Sequence, residues 1–284
     1  WVTSLTSLAL IALLFLREIG RWRWPERESR QRPVYRLCTI RDQNGFARDL
    51  MTEKLFQHDA YLKACSATVV DIVDNGIVLD RTVFYAQGGG QPGDIGHMVT
   101  SGGRTITIVD TVLHRDTGVH LHLHEQGDIP PEIGETVNAS INWDRRYRLM
   151  RMHSCMHMLC AVIDAPVTGG SVSDGRARLD FDLPTPPDKE VIQCALEKVI
   201  SDDQPMELRW ISGQELRDQP ELVRTMSVSP PIGDGEVRLV NFQGIDLQPC
   251  GGTHVSRSGE IGAVKVRKIE KKGKQNRRVI IEFA

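Results

Sequence analysis

From Asp144 to Asp164 the chain runs 21 residues, DRRYRLMRMHSCMHMLCAVID, without a glycine or a proline. So long an unbroken stretch reads as a helix, with Asp144 as its N-cap and Ala165-Pro166 as its stop. Everything before it follows another period. TVVDIVDNGIVLDRTVFYA places β-branched runs on either side of Asp74-Asn75-Gly76, and Asn-Gly favours a hairpin because both central positions tolerate positive φ. Thr105–Leu113 and Val119–His124 form a second hairpin around Asp116-Thr117-Gly118, and Thr136–Trp143 alternates once more. About five or six short strands separated by turn signals predict a small β-barrel. Beyond the helix, a second one is predicted from Pro187 to Ser201, opened by Thr185 with Asp188 as a capping box. Strands are predicted at Arg176–Asp182, Met206–Ser212, Glu236–Val240, Gly262–Ile269 and Arg277–Phe283. The fold class is α+β: a small N-terminal β-barrel over residues 51–143, then a two-layer α+β domain over 144–284.

The 284 residues leave room for both domains, at roughly 100–200 residues each. Lys+Arg 35 against Asp+Glu 37 gives a net charge of -2, which excludes a broadly basic nucleic-acid binder but leaves room for a local basic patch. A mean hydropathy of -0.27 excludes a polytopic membrane protein. The six cysteines (Cys38, Cys65, Cys155, Cys160, Cys194, Cys250) are too sparse for a disulfide scaffold. Free thiols or a metal site in a reducing, cytoplasmic compartment follow.

Residues 1–50 look foreign to the rest. WVTSLTSLALIALLFL is uncharged and precedes Arg17, Arg21 and Arg23, but at ~1.5 Å per residue it falls short of a ~30 Å hydrocarbon core. Nine Arg against five acids make up the charge of the segment. Met51 opens a stretch that reads like a normal start. The expectation is a non-native or disordered extension, with no stable membrane association.

Three clusters carry chemistry. His153 and His157 lie four apart on the predicted helix, so their side chains share one face and can converge on one ion. The residues between them, Ser154, Cys155 and Met156, lack the glutamate of a zinc protease. Cys250 and His254, in Gln248-Pro249-Cys250-Gly251-Gly252-Thr253-His254, add a thiolate and an imidazole on a chain that can turn sharply. Together they form a Cys/His3 set suited to one Zn2+, structural if all four bind and open for catalysis if three do. The third cluster is Phe84-Tyr85-Ala86-Gln87-Gly88-Gly89-Gly90-Gln91-Pro92-Gly93-Asp94. Gly88, Gly89 and Gly90 can present backbone N–H groups to an ester or anion, and Gln87 and Gln91 can orient a carbonyl and a water. It is neither a Walker A loop nor a dinucleotide fingerprint.

FYAQGGGQPGD, RMHSCMHML and DLQPCGGTHVSRSGEIG, in that order, resemble the alanyl-tRNA editing family, the free-standing AlaX-type proteins related to the editing domain of alanyl-tRNA synthetase. The likeness covers roughly Leu55 to Ala284. It implies a zinc-dependent aminoacyl-tRNA deacylase acting on tRNA(Ala) mischarged with Ser or Gly, with metal ligands at His153, His157, Cys250 and His254 and the family's glutamine at Gln91. Relatives vary at the position of Gln87, and Ser258 stands where a threonine is usual. The resemblance covers no adenylate-forming part and implies no ligase activity.

An aminoacyl ester is activated, so its hydrolysis needs a positioned water and a stabilised oxyanion. Gln91 and Thr253 are the catalytic candidates, and Gln87 and Gly88 to Gly90 the substrate-binding ones. The zinc can polarise the ester, activate a water or hold the substrate amine. For tRNA phosphates the basic stretch of Lys265, Arg267, Lys268, Lys271, Lys272, Lys274, Arg277 and Arg278 is the candidate, with Arg145, Arg146, Arg148 and Arg151 on the helix. His120, His122 and His124 alternate on one strand and read as a polar barrel face. Two other readings stay open, a non-catalytic zinc-stabilised tRNA-binding module and a threonyl-type editing domain.

Overall fold

Strand pairing begins at a two-residue turn. Val73 pairs with Gly76, so the loop is Asp74-Asn75, one residue earlier than the Asn-Gly signal suggests, and Asp74 carries the positive φ of 53°. Gly76 enters the following strand, where a Cβ would press on Leu121. The structure, a computed structural model, describes residues 51–224 and 236–284; the readings made for residues 1–50 lie outside them.

The first half contains β1 (Glu53–Lys54), β2 (Ala64–Val73), β3 (Gly76–Leu79), β4 (Arg81–Thr82), β5 (Gly96–Thr100), β6 (Thr105–Leu113), β7 (His120–His124) and β8 (Thr136–Ile141). Six of these close a barrel in the order β2-β3-β7-β6-β5-β8, and β1 pairs with β4. Val69, Ile77, Leu79, Met98, Ile106 and Ala139 fill its core. The three histidines of β7 are not a polar face: His120, His122 and His124 are all buried. His122 is satisfied at both nitrogens, by Thr82 Oγ1 at 2.7 Å and the Ile77 carbonyl at 2.9 Å. Burial holds it neutral, with a pKa of about 4.

The long helix is α1 (Trp143–Val162), and its N-cap is Asn142 rather than Asp144: the Asn142 side chain accepts from the Arg145 amide. Every side chain from Met152 to Cys160 is buried, so this part of the helix is an interior one, without a solvent face. There follow β9 (Val167–Ser173), β10 (Arg176–Asp182), α2 (Lys189–Ser201), β11 (Met206–Ser212), α3 (Gly213–Asp218), β12 (Glu236–Phe242), β13 (Asp246–Pro249), β14 (Val264–Lys271) and β15 (Asn276–Phe283). Asp188, not Thr185, caps α2, accepting from the Glu190 and Val191 amides. One sheet runs β14-β15-β10-β9 and another β11-β12-β13. Helices α1 and α2 share a core with the first sheet through Met158, Leu159, Leu179, Phe181, Leu196 and Val279. The architecture is α+β, mostly sheet.

One buried ion pair ties α1 to the barrel. Arg146 is fully buried, so it belongs to the interior and not to a phosphate-binding face. Its Nε donates to Asp94 at 2.9 Å, Nη2 meets the same carboxylate and the Val83 carbonyl, and Nη1 donates to the Ala60 carbonyl. Removing one partner leaves a buried charge uncompensated. Arg146→Met should therefore destabilise the fold by about 3–5 kcal/mol, read from urea denaturation; a loss below about 1 kcal/mol, the value of an exposed pair, would contradict this account.

Candidate metal centre

Helix α1 supplies two imidazoles one turn apart, and the segment after β13 supplies the other two donors. Their ligand atoms, one each from His153, His157, Cys250 and His254, all lie within 4.8 Å of one another. Cys250 Sγ is 3.2 Å from His254 Nε2 and 3.6 Å from His153 Nε2. Such spacings suit a tetrahedral ion with ligands at about 2.0–2.3 Å.

The other nitrogen of each ring is held from outside. His153 Nδ1 meets Gln91 Oε1 at 2.8 Å, His157 Nδ1 meets Asp246 Oδ2 at 2.7 Å, and His254 Nδ1 meets Ser154 Oγ at 3.3 Å. With Nδ1 engaged, each Nε2 is left to point at the common centre, as metal-binding histidines require. Gln248 Nε2 donates to Asp246 Oδ2 at 2.8 Å, fixing that carboxylate in turn. The donor set therefore fits a metal ion.

Electrostatics agree. Burial by itself would raise the Cys250 thiol, but His153 and His254 beside it hold it well below the usual thiol range. Burial would likewise lower His157, yet the Asp246 hydrogen bond and the nearby thiolate lift it to about 9. Burial pushes His254 well down, against the pull of Cys250. Metal ligands bind as thiolate and neutral imidazole, so ion binding here would be accompanied by proton release.

The loop that carries Cys250 is clamped by Arg238 of β12. The Arg238 Nε donates to the Cys250 carbonyl at 3.0 Å, Nη1 to the Gln57 carbonyl at 3.1 Å, and Nη2 to the Gly252 carbonyl. Within this loop the two glycines differ. A Cβ on Gly252 would overlap the His153 ring and come 3.0 Å from Gln91 Oε1, whereas one on Gly251 would meet nothing.

Gln91 is the surprise of the site. Its side chain is fully buried; Oε1 accepts from His153 Nδ1 and from the Thr253 amide, and Nε2 donates to Thr253 Oγ1 at 2.9 Å. All its groups are engaged within the protein. Gly89 and Gly90 adopt φ of 54° and 81° and are exposed. Their amides take no part in the loop's own hydrogen bonds, which run between Gly88 and Gln91 and from Tyr85 Oη to the Gly88 carbonyl. The Gln87 side chain is exposed. Of the basic candidates, Lys265 and Arg267 pair with Glu282 at 3.3 and 3.0 Å, and Lys268 and Lys272 pair with Glu270. Lys271 and Lys274 are exposed on the same hairpin. Arg277 is buried against the Pro184 and Asn276 carbonyls, Arg278 pairs with Asp180 and Arg148 with Asp174. Arg145 and Arg151 donate to the Gly93 and Ile261 carbonyls.

Sequence reasoning missed Asp246, Gln248, Arg238 and Ser154. A signal for the first two exists: Asp246 and Gln248 alternate in the run entering Pro249-Cys250, so they share one strand face.

Comparison with known proteins completes the picture. Residues 237–280 match the family model described as threonyl and alanyl tRNA synthetase second additional domain, and residues 38–145 match that of class II (A) tRNA synthetases. An alanyl-tRNA editing protein AlaX-M of Methanosarcina acetivorans is 35% identical over 239 residues, covering 81% of this chain and 98% of its own. The chain belongs to the AlaX-M alanyl-tRNA editing family. The AlaX-M protein of Saccharolobus solfataricus is 33% identical over 237 residues, with the same shares covered. The alanine–tRNA ligase of Pyrobaculum calidifontis is 35% identical over 235 residues, which make up 78% of this chain but 25% of the ligase.

Three substitutions test this account of the centre. Gly252→Ala should abolish stoichiometric metal binding while Gly251→Ala retains it, as measured by elemental analysis of purified protein; equal metal content in both would contradict the assigned crowding. Asp246→Asn should weaken the metal about 10- to 100-fold, read by competition with a chromophoric chelator.

Proposed function

We propose that this AlaX-M family member is a zinc-dependent aminoacyl-tRNA deacylase that removes Ser, and also Gly, wrongly esterified to tRNA(Ala), acting in trans in the cytoplasm. The observation that carries the reading is the buried Cys/His3 cluster linked by Gln91 to the glycine loop. In this reading residues 51–143 are the barrel domain that brings the loop, and residues 144–284 the two-layer editing domain that holds the metal.

Zn2+, held by His153, His157, Cys250 and His254, supplies positive charge to the ester, a water or the substrate amine. The exposed Gly89 and Gly90 amides supply hydrogen bonds to the developing oxyanion, and donors fixed before the reaction cost no reorganisation. Gly88 shapes the loop and Gln87 flanks it with a solvent-facing amide. Gln91 contributes by fixing the tautomer and orientation of His153 and by holding Thr253. The Thr253 hydroxyl accepts from Gln91 Nε2, which leaves its own proton to donate to the hydroxyl of a bound serine. A site that pairs a substrate hydroxyl separates serine from alanine better than one that measures size. Lys271 and Lys274, with the ion-paired cations beside them on the β14–β15 hairpin, supply the charge toward tRNA phosphates.

Four protein donors close a tetrahedral shell, the arrangement of structural zinc. That supports a second reading, in which the chain binds tRNA(Ala) without turnover. A deacylation assay separates the two and also tests a threonyl-type specificity. Zinc-loaded protein should release serine from Ser-tRNA(Ala) well above the spontaneous rate, act on Gly-tRNA(Ala), and leave Ser-tRNA(Thr) near background; Cys250→Ala should fall to background. Binding of tRNA(Ala) without release would establish the second reading instead.

A further inference from the structure

A cavity of about 330 Å3 reaches the metal cluster at His254 and Gly252, and Phe56, His58, Tyr61 and Arg238 also line it. Tyr61 belongs to a second feature as well. Its ring centre lies 5.7 Å from that of Trp143 and 6.5 Å from that of Tyr147, and Trp143 stacks on Tyr147 at 5.5 Å with 25° between planes. Lys63 Nζ sits 4.7 Å over the Trp143 ring. Tyr61, Trp143 and Tyr147 are partly buried, packed against the core on one side, and Lys63 is exposed.

The row is also held rigid. Tyr61 Oη and Tyr147 Oη both donate to Glu260 Oε2, at 2.7 and 2.9 Å, and Ser256 Oγ donates to Oε1 at 2.6 Å. The Glu260 carboxylate is thereby engaged by hydroxyls, and Asp59, which also lines the cavity, accepts from the Tyr61 amide at 2.8 Å. Fixed aromatic planes in series, with a cation on the first of them, match unpaired bases joined by phosphates; stacking one base on such a ring is worth about 5- to 150-fold in affinity.

We propose that Lys63, Trp143, Tyr147 and Tyr61 form the track for the unpaired 3′ end of the tRNA, leading its terminal nucleoside into the cavity beside His254. The inference rests on the deacylase reading for the identity of the strand, and it assigns no role in bond cleavage to these side chains.

The test compares binding of uncharged tRNA(Ala) with the same tRNA lacking its unpaired 3′ nucleotides, so it does not depend on turnover. The wild-type protein should prefer the intact tRNA. Tyr147→Leu should cut that preference about 5-fold or more while binding the truncated tRNA as before, and Lys63→Ala should reduce it in the same sense. Tyr147→Phe, which keeps the ring and loses only the bond to Glu260, should retain the preference; retained metal content shows that each variant is folded. An unchanged preference in Tyr147→Leu, equal weakening toward both RNAs, or no preference in the wild type would each overturn the track. A ring-dependent preference without deacylation would leave the track standing and remove the deacylase reading alone.

Discussion

Three imidazoles and a thiol brought into an apolar interior create more polar atoms than the core can tolerate unless each finds a partner. Burying such a group unpaired costs about 1–3 kcal/mol. The protein answers with Gln91, Asp246 and Ser154 on the outward ring nitrogens. These partners come from the glycine loop, from β13 and from α1 itself, so the elements that meet at the cluster are fixed by what the histidines need. The Arg238 clamp and the crowding around Gly252 follow from the same demand, since the loop bearing Cys250 must pass very close to His153.

Much of this was legible in the sequence because it is periodic. The barrel strands show alternation and turn residues, and α1 shows an unbroken run with His153 and His157 on one face. Strands β10 and β11 fall where their patterns end. The N-caps differ from the sequence expectation by small shifts, because Asn142 and Asp144 are both good caps and only the backbone geometry chooses between them. Strand β9 carries no sequence signal, since VTGGSVS has the composition of a loop. A Cβ on its Gly170 would press on the ends of Leu179 and Met156, neither adjacent in sequence. Strand β13 is short and ends in a proline.

The functional residues divide in the same way. Spacing pointed to the four residues of the Cys/His3 cluster, because one helical turn and one tight loop each carry two. It could not reveal that the Gln91 amide lies behind a ligand, or that Arg146 is interior, because both facts depend on partners far along the chain. His122 shows the principle most simply: Thr82 and Ile77, on other segments of the barrel, satisfy both nitrogens of a ring that the alternating pattern would place on a polar face.

Gln91 has one consequence that reaches past the site. It belongs to the loop of the barrel half, yet one oxygen of its amide serves both the His153 ring and the Thr253 backbone. Were an ion to bind at the cluster, its capture and the seating of the barrel loop would therefore be linked equilibria. Whatever the seated loop adds to ion affinity, the ion returns to loop seating by the same factor, since coupling free energies are reciprocal. The Gln91 carboxamide would carry that coupling, alongside the Arg146–Asp94 pair that already ties α1 to the barrel half.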